Sequence, residues 1–306
     1  MVKVFDISPL LAEQAAGPGG ADDLPPAARF VLVVTALGLL ILAVWLIRRL
    51  AHGRKVFLHE APGRPNSLGW VHVAVIVGWM AADRVLGLLA QVGQRMPETI
   101  TTEGILGAIV MYLFLLAIAL AAAQVGFRRG VVHGMGLSTR RWITDTARGL
   151  LAGLAVYPIC MALAKLSTDL IPETFQEMHS VLVFLNEDVG LSSRLLAIAM
   201  AVVVAPIVEE VIYRGLLQTA LRRVLGGPWR GIVAASLVFM VAHVVFATDP
   251  LRPVGLQAFA PVFALAVVLG YNYERTGRLL PSIIVHAFFN AVNVTVALLE
   301  GGGGEG

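Results

Sequence analysis

Eight apolar stretches separated by short polar segments run along this chain of 306 residues. A helix needs about 20 predominantly apolar residues to cross the hydrocarbon core of a bilayer. The pattern therefore predicts an all-α fold, a polytopic transmembrane helix bundle of about eight spans. The last three stretches are short, which leaves seven spans as the alternative. The approximate bounds of the stretches are 30–47, 68–90, 105–125, 149–164, 195–221, 232–247, 256–271 and 283–299.

Composition agrees with a membrane protein and excludes several other classes. Hydrophobic residues make up 58% of the chain and charged residues 14%, whereas a soluble domain carries about 25% charged residues. The mean hydropathy is +0.80. The single cysteine, Cys160, excludes an internal disulfide. The net charge of +3 is small and its basic residues lie in short loops, which indicates topology signals and no nucleic-acid partner.

The order of the polar segments predicts how the chain is organised. Residues 1–29 contain many Gly, Pro and Ala and are expected to form a flexible N-terminal tail, and residues 301–306 form a Gly-rich tail. Residues 30–147 are expected to hold the N-terminal transmembrane helices and, over 137–148, an interfacial helix or an ordinary basic loop. Basic residues follow the first, third, fifth and seventh stretches. The positive-inside rule then places both termini outside the cytoplasm.

Two adjacent carboxylates lie in the fifth apolar stretch. An unpaired charge at the centre of a membrane helix costs about 3 kcal/mol by insertion scales, so such residues suggest a functional site. Positions four apart share a helix face, so Glu210 can pair with Arg214 while Glu209 projects elsewhere. We therefore expect Glu210 to be structural and Glu209 to be a general base. The alternative is that both acids serve packing, a salt bridge between helices or a polar cavity.

Two later stretches carry polar pairs at the same spacing. Phe239 and His243 lie four apart, as do His286 and Asn290, so each pair shares one helix face. Counted from the basic ends at 1.5 Å per residue, Glu209, His243 and Asn290 lie roughly 18 to 20 Å deep, and His286 lies one turn shallower. The side chains could converge on one intramembrane pocket. The alternative is that each histidine only makes a hydrogen bond to another helix and has no catalytic role.

In this order, the three patterns resemble the CPBP family of CAAX-protease and bacteriocin-processing (Abi) intramembrane endopeptidases, which are related to the Ras-converting CAAX endopeptidase. The likeness covers about residues 195–295, so 148–300 is expected to be a CPBP-like catalytic transmembrane core. Residues 1–147 carry no motif of the family. The matching residues are Glu-Glu-x-x-x-Arg at Glu209, Glu210 and Arg214, Phe-x-x-x-His at Phe239 and His243, and His-x-x-x-Asn at His286 and Asn290.

The resemblance implies hydrolysis of a peptide bond in a membrane-associated or prenylated protein or peptide, within the lipid bilayer. Glu209 and His243 would activate the attacking water, and His286 and Asn290 would bind the scissile carbonyl and its oxyanion. No cofactor is favoured, although Glu209 and the two histidines could ligate zinc. The chain lacks His-Glu-x-x-His, the usual sequence sign of a zinc protease. The expected location is the bacterial inner (plasma) membrane.

Other functional classes fit parts of the pattern. A catalytically idle scaffold or immunity protein could share the fold, but it would have no reason to keep all the motif residues. A proton-coupled transporter could use intramembrane Glu, His and Arg, yet the internal repeats that transporters often show are not visible in the sequence. A hydrolase or transferase acting on a lipid is the remaining alternative.

Overall fold

A computed structural model of the chain describes residues 24–53, 64–91, 102–172, 185, 190–244 and 256–301. Over these ranges the secondary structure is helical, and the sole extended pairing is an isolated bridge between Asn66 and Phe127. The all-α prediction is confirmed. The helices are α1 Pro26–Ala51, α2 Trp70–Gln91, α3 Thr102–Gly126, the short α4 Gly130–Gly134, α5 Trp142–Leu170, α6 Leu191–Leu225, α7 Pro228–Val244, α8 Phe259–Thr276 and α9 Leu280–Gly301.

Each of the eight predicted stretches corresponds to a helix. In the described part of the chain, six of the helices are long and apolar enough to cross a membrane: α1, α3, α5, α6, α8 together with the short turn before it, and α9. The apolar parts of the other two are shorter, Trp70–Ala81 in α2 and Pro228–His243 in α7. The chain is therefore an integral membrane protein with six to eight spans.

The fourth span begins earlier than its hydropathy suggests. Helix α5 starts at Trp142, so residues 142–148 are its first turns and the expected division between 147 and 148 falls inside one helix. Asp145 explains why this polar segment joins the bundle, because its side chain is fully buried and bonds to the Arg278 guanidinium. The N-terminal tail lies mostly outside the described residues. Within it, α1 begins at Pro26, where a proline fits the first helical turn.

Small residues let α1, α5 and α9 approach closely. A Cβ added to Gly38 of α1 would lie 2.2 Å from the Leu154 carbonyl oxygen of α5, and one added to Gly153 would lie 2.7 Å from the Phe288 ring of α9. In a bilayer, helices associate through such close packing because lipid chains are as apolar as leucine. These contacts are part of the packed core that α1, α5 and α9 share.

Helix α6 changes its winding twice. Two π-helical segments, Met200–Val204 and Val211–Gln218, flank the α-helical turn Ala205–Glu210. Pro206 lies at the start of that turn and lacks the N–H that would continue an α-helical ladder. The Thr219 hydroxyl donates to the Arg214 carbonyl oxygen at 3.2 Å, five residues back. Such widened turns occur frequently at functional sites, and here they bracket Glu209 and Glu210.

The basic ends of the helices meet at one end of the bundle. A guanidinium nitrogen of Arg64, before α2, donates to the Tyr273 carbonyl oxygen of α8 at 3.0 Å. Arg223 at the end of α6 donates to the Leu68 carbonyl oxygen at 3.1 Å. Arg278, after α8, bonds to Asp145 of α5. We call this side of the molecule the basic end, and the positive-inside rule predicts that it faces the cytoplasm.

Candidate active site

Helices α6 and α7 bring Glu209 and His243 into direct contact. The Oε2 atom of Glu209 lies 3.1 Å from the Nε2 atom of His243. Their side chains are 13% and 29% exposed, whereas the side chain of Glu210 beside them is 0% exposed. Glu209 and His243 are therefore more exposed than the Glu210 carboxylate beside them.

Hydrogen-bond partners define where the protons of this pair lie. The Nδ1 atom of His243 is 2.8 Å from the Phe239 carbonyl oxygen, which can only accept, so Nδ1 carries a hydrogen. The contact between Nε2 and Glu209 then needs one further proton, held by either atom. Glu209 and His243 thus share a single proton across 3.1 Å, the arrangement needed to accept a proton at one group and release one from the other.

Glu210 contacts one side chain in its own helix and one in α9. Its Oε1 atom lies 3.2 Å from Nη1 of Arg214, the ion pair expected from their spacing, and 3.0 Å from Nδ1 of His286 in α9. The Arg214 contact is an ion pair by distance, although Nη1 is not aligned for a hydrogen bond in the described structure. Because His286 Nδ1 faces this carboxylate, His286 Nε2 is the atom that faces Glu209, at 3.8 Å.

Arg214 is held between three helices. Its Nη2 atom donates to the Ala266 carbonyl oxygen of α8 at 3.2 Å, and its guanidinium lies 4.5 Å from the centre of the Phe239 ring of α7. The same ring stacks on His243 at 4.0 Å and meets His286 edge-on at 5.8 Å. Phe239 therefore orients both histidines and the arginine, which gives the aromatic position of the second motif a physical role.

Asn290 stands apart from the other predicted site residues. Its Nδ2 atom donates to the carbonyl oxygen of Ala201, in the first π-helical segment of α6, at 2.8 Å. It lies four residues after His286 on α9, one helical turn away on the same face. An amide nitrogen has two hydrogens, so Asn290 can hold α6 and still offer a donor to a ligand.

The structure adds Tyr112, which sequence reasoning missed. Its hydroxyl group lies 3.5 Å from Oε1 of Glu209, on α3 in the half of the chain without family motifs. A signal was present, because Tyr112 is the sole residue with a polar side chain between Gly104 and Ala123. A hydroxyl in an otherwise apolar span usually finds a hydrogen-bond partner.

A zinc site is the alternative to a metal-free site. Among the described residues, no group of three or more His, Cys, Asp and Glu side chains is arranged to hold a metal ion. His243 Nε2 lies 3.1 Å and His286 Nε2 lies 3.8 Å from Oε2 of Glu209, so the three residues named as possible zinc ligands lie close together. A metal-free reaction stays the prediction, and a chelator tests it.

The comparison with known families covers the part of the chain that holds these motifs. Residues 191–292 match the family model described as type II CAAX prenyl endopeptidase, Rce1-like. No curated protein and no solved structure matches the chain. The matched segment is about a third of the chain and includes every predicted site residue from Glu209 to Asn290 but not Tyr112. Residues 191–292 are therefore an Rce1-like segment, and the resemblance to the CAAX proteases predicted from the three motifs is confirmed.

Proposed function

We propose that this protein is an intramembrane endopeptidase that hydrolyses a peptide bond of a prenylated, membrane-associated protein or peptide. The observation that carries the proposal is the 3.1 Å contact between Glu209 and His243, which belong to different helices and share one proton in a mostly buried cluster. The Rce1-like segment supports a CAAX-type protease in general terms.

The reaction proceeds by general acid–base catalysis on water. The water oxygen adds to the scissile carbonyl carbon while Glu209 accepts one water proton. The imidazolium of His243 gives its proton to the amide nitrogen, the carbon–nitrogen bond breaks, and a carboxylic acid and an amine form. The proton on Glu209 then returns to His243, so the pair is ready for another cycle. Proton transfer by positioned groups contributes about 10² to 10⁴-fold to such rates.

The remaining residues position the reacting groups. His286 presents Nε2 towards Glu209 because Glu210 accepts a hydrogen bond from its Nδ1, so Nε2 can bond to the attacking water or, when protonated, to the oxyanion. Asn290 can donate to the same oxyanion without changing its own charge. Arg214 balances the charge of Glu210 and is a positioning residue in this scheme.

Hydrolysis of a defined peptide tests the proposal. The purified protein in liposomes is given a farnesylated CAAX peptide, and products are identified by mass spectrometry. We expect wild-type protein to release the terminal tripeptide and Glu209→Gln to be slower by at least about 100-fold. Asp169→Asn is the matched control, because it makes the same carboxylate-to-amide change in a 54%-exposed ion pair, and it should cleave at the wild-type rate.

Two results would overturn this assignment. One is full activity in folded Glu209→Gln protein. The other is no cleavage of the peptide by wild-type protein together with identical terminal peptides in membranes from cells expressing wild type and Glu209→Gln. The second result would instead favour an idle scaffold or a transporter, neither of which makes a proteolytic product.

A further inference from the structure

A cavity of about 520 Å³ lies at the basic end of the bundle, far from the candidate active site. It is formed by residues 64–66 before α2, by Arg128 shortly after α3, and by the end of α6 together with the turn into α7. Along α6, its Arg222 is thirteen residues from Glu209, which corresponds to about 20 Å of helix. The volume is within the range of about 300 to 1,000 Å³ that is typical of ligand pockets.

The wall of this cavity is strongly cationic. Arg64, Arg128, Arg222 and Arg223 line it, and no Asp or Glu is among the described residues that do so. We call it the arginine pocket. Guanidinium groups placed around one cavity repel each other, and arginine is well suited to phosphate because its planar donors match the phosphate oxygens. The composition of the wall therefore selects an anion.

Three of the four arginines contact groups that do not line the cavity. Arg222 bonds to Glu274, whose side chain is 0% exposed and which also accepts a hydrogen bond from Gln218. Arg64 lies over the Tyr273 ring, with the guanidinium carbon 3.7 Å from the ring centre. Arg223 donates one bond to the Leu68 carbonyl oxygen. A guanidinium has five N–H donors, so the bond from Arg223 to Leu68 orients that group and leaves donors for a ligand.

The backbone at the pocket adds to its positive potential. Pro228, which lines the cavity, is the first residue of α7, and the N-terminus of a helix carries the positive end of the helix dipole. Gly226, also in the wall, adopts a φ of +74° that ends α6 and turns the chain into α7. The turn thus places a helix N-terminus beside four arginines.

The position of the pocket points to a lipid as the source of the anion. Trp229 follows Pro228 of the cavity wall in sequence, and its ring centre lies 6.1 Å from that of Tyr271. Such aromatic residues concentrate at the membrane interface. Basic pockets between spans on the cytoplasmic side suit the headgroups of anionic phospholipids. We propose that the arginine pocket binds the phosphate of an anionic phospholipid headgroup, a site independent of the proposed protease activity.

The test compares two double variants of equal charge. Arg128→Gln with Arg223→Gln removes two exposed arginines from the pocket wall. Arg129→Gln with Arg230→Gln removes two exposed arginines at the same end that do not line it. The pairs are closely matched, because Arg128 and Arg129 are adjacent and Arg230, like Arg223, donates one bond to a backbone carbonyl. Binding of short-chain phosphatidylglycerol to the full chain in neutral detergent is measured by native mass spectrometry and by thermal shift.

We expect wild-type protein and the Arg129/Arg230 variant to bind one phosphatidylglycerol and not to bind phosphatidylcholine. Each basic residue near an anionic lipid contributes about 1 kcal/mol, so the Arg128/Arg223 variant should bind about 30-fold more weakly, equivalent to about 2 kcal/mol. If that variant does not fold, Arg128→Gln alone should bind about fivefold more weakly than Arg129→Gln.

Equal weakening in the two double variants would overturn the proposal, because it would show a diffuse effect of net charge. Equal protection by inorganic phosphate and by phosphatidylglycerol would also overturn it, in favour of a soluble phosphate ligand. Binding of phosphatidylcholine as tight as phosphatidylglycerol would show that the acyl chains and not the arginines select the lipid.

Discussion

The buried ion pair between Glu210 and Arg214 allows a quantitative test of the architecture. Their side chains are 0% and 2% exposed, so Glu210→Gln leaves the Arg214 guanidinium charged without its counter-ion inside the bundle. The amide oxygen of the new glutamine can still accept from His286. The change therefore removes the charge while it preserves the shape and the hydrogen bond at Nδ1.

The expected magnitude follows from the burial of both partners. Removing one partner of a buried pair costs about 3 to 5 kcal/mol, because the remaining charge is uncompensated, whereas replacing both by neutral groups can be close to neutral. We expect Glu210→Gln and Arg214→Met each to lower the free energy of unfolding by about 3 to 5 kcal/mol. The double variant should lose only about 1 to 2 kcal/mol, mainly through the lost bond from Arg214 to the Ala266 carbonyl oxygen.

Equilibrium unfolding in mixed micelles, followed by tryptophan fluorescence, measures these four proteins as a double-mutant cycle. Lys165 and Asp169 on α5 supply the control cycle, since they have the same spacing of four residues but are 42% and 54% exposed. An exposed pair of this kind contributes about 0.3 to 0.5 kcal/mol. A loss of stability in Glu210→Gln no larger than in Asp169→Asn would contradict this prediction. Additive effects of Glu210→Gln and Arg214→Met would contradict it as well.

Three further predictions concern catalysis. Tyr112→Phe should lower kcat by up to about tenfold without changing KM, because the hydroxyl makes one long hydrogen bond to Glu209; an unchanged kcat would show that the contact has no catalytic role. Asn290→Ala should lower kcat by about 10² to 10³-fold if the amide stabilises the oxyanion, and a change in thermal stability alone would assign it to the contact with Ala201. Peptide cleavage by metal-analysed protein in excess chelator should continue, and loss of activity that returns with added zinc would replace the metal-free scheme.

The sequence predicts the number and the type of the helices because each span requires a long apolar run. It does not predict their ends equally well. Trp142 and Asp145 lie among basic residues, and Asp145 is paired in the bundle with Arg278, 133 residues away. Hydropathy describes each segment separately and therefore cannot report such a partner.

The candidate site shows the same limit. Spacing within one helix is enough to predict the contact of Glu210 with Arg214. The bond from His286 to Glu210 could not be predicted, because helix periodicity tells which residues share a face and not which face of another helix they meet. The π-helical segments add to the difficulty, since they change the rotation of α6 on both sides of Glu209 in a way that a fixed period of 3.6 residues does not follow.

The shared proton between Glu209 and His243 has a consequence for how a product would leave. The charges of Glu210 and Arg214 cancel, and the Glu209–His243 pair is neutral with its one shared proton. These four residues therefore carry no net charge before substrate binds. In the proposed scheme the proton on Glu209 returns to His243 after each cleavage, so the same four residues again carry no net charge when the products leave. The site would therefore take up a neutral amide and release its products without moving a net charge through the low-dielectric interior of the bundle.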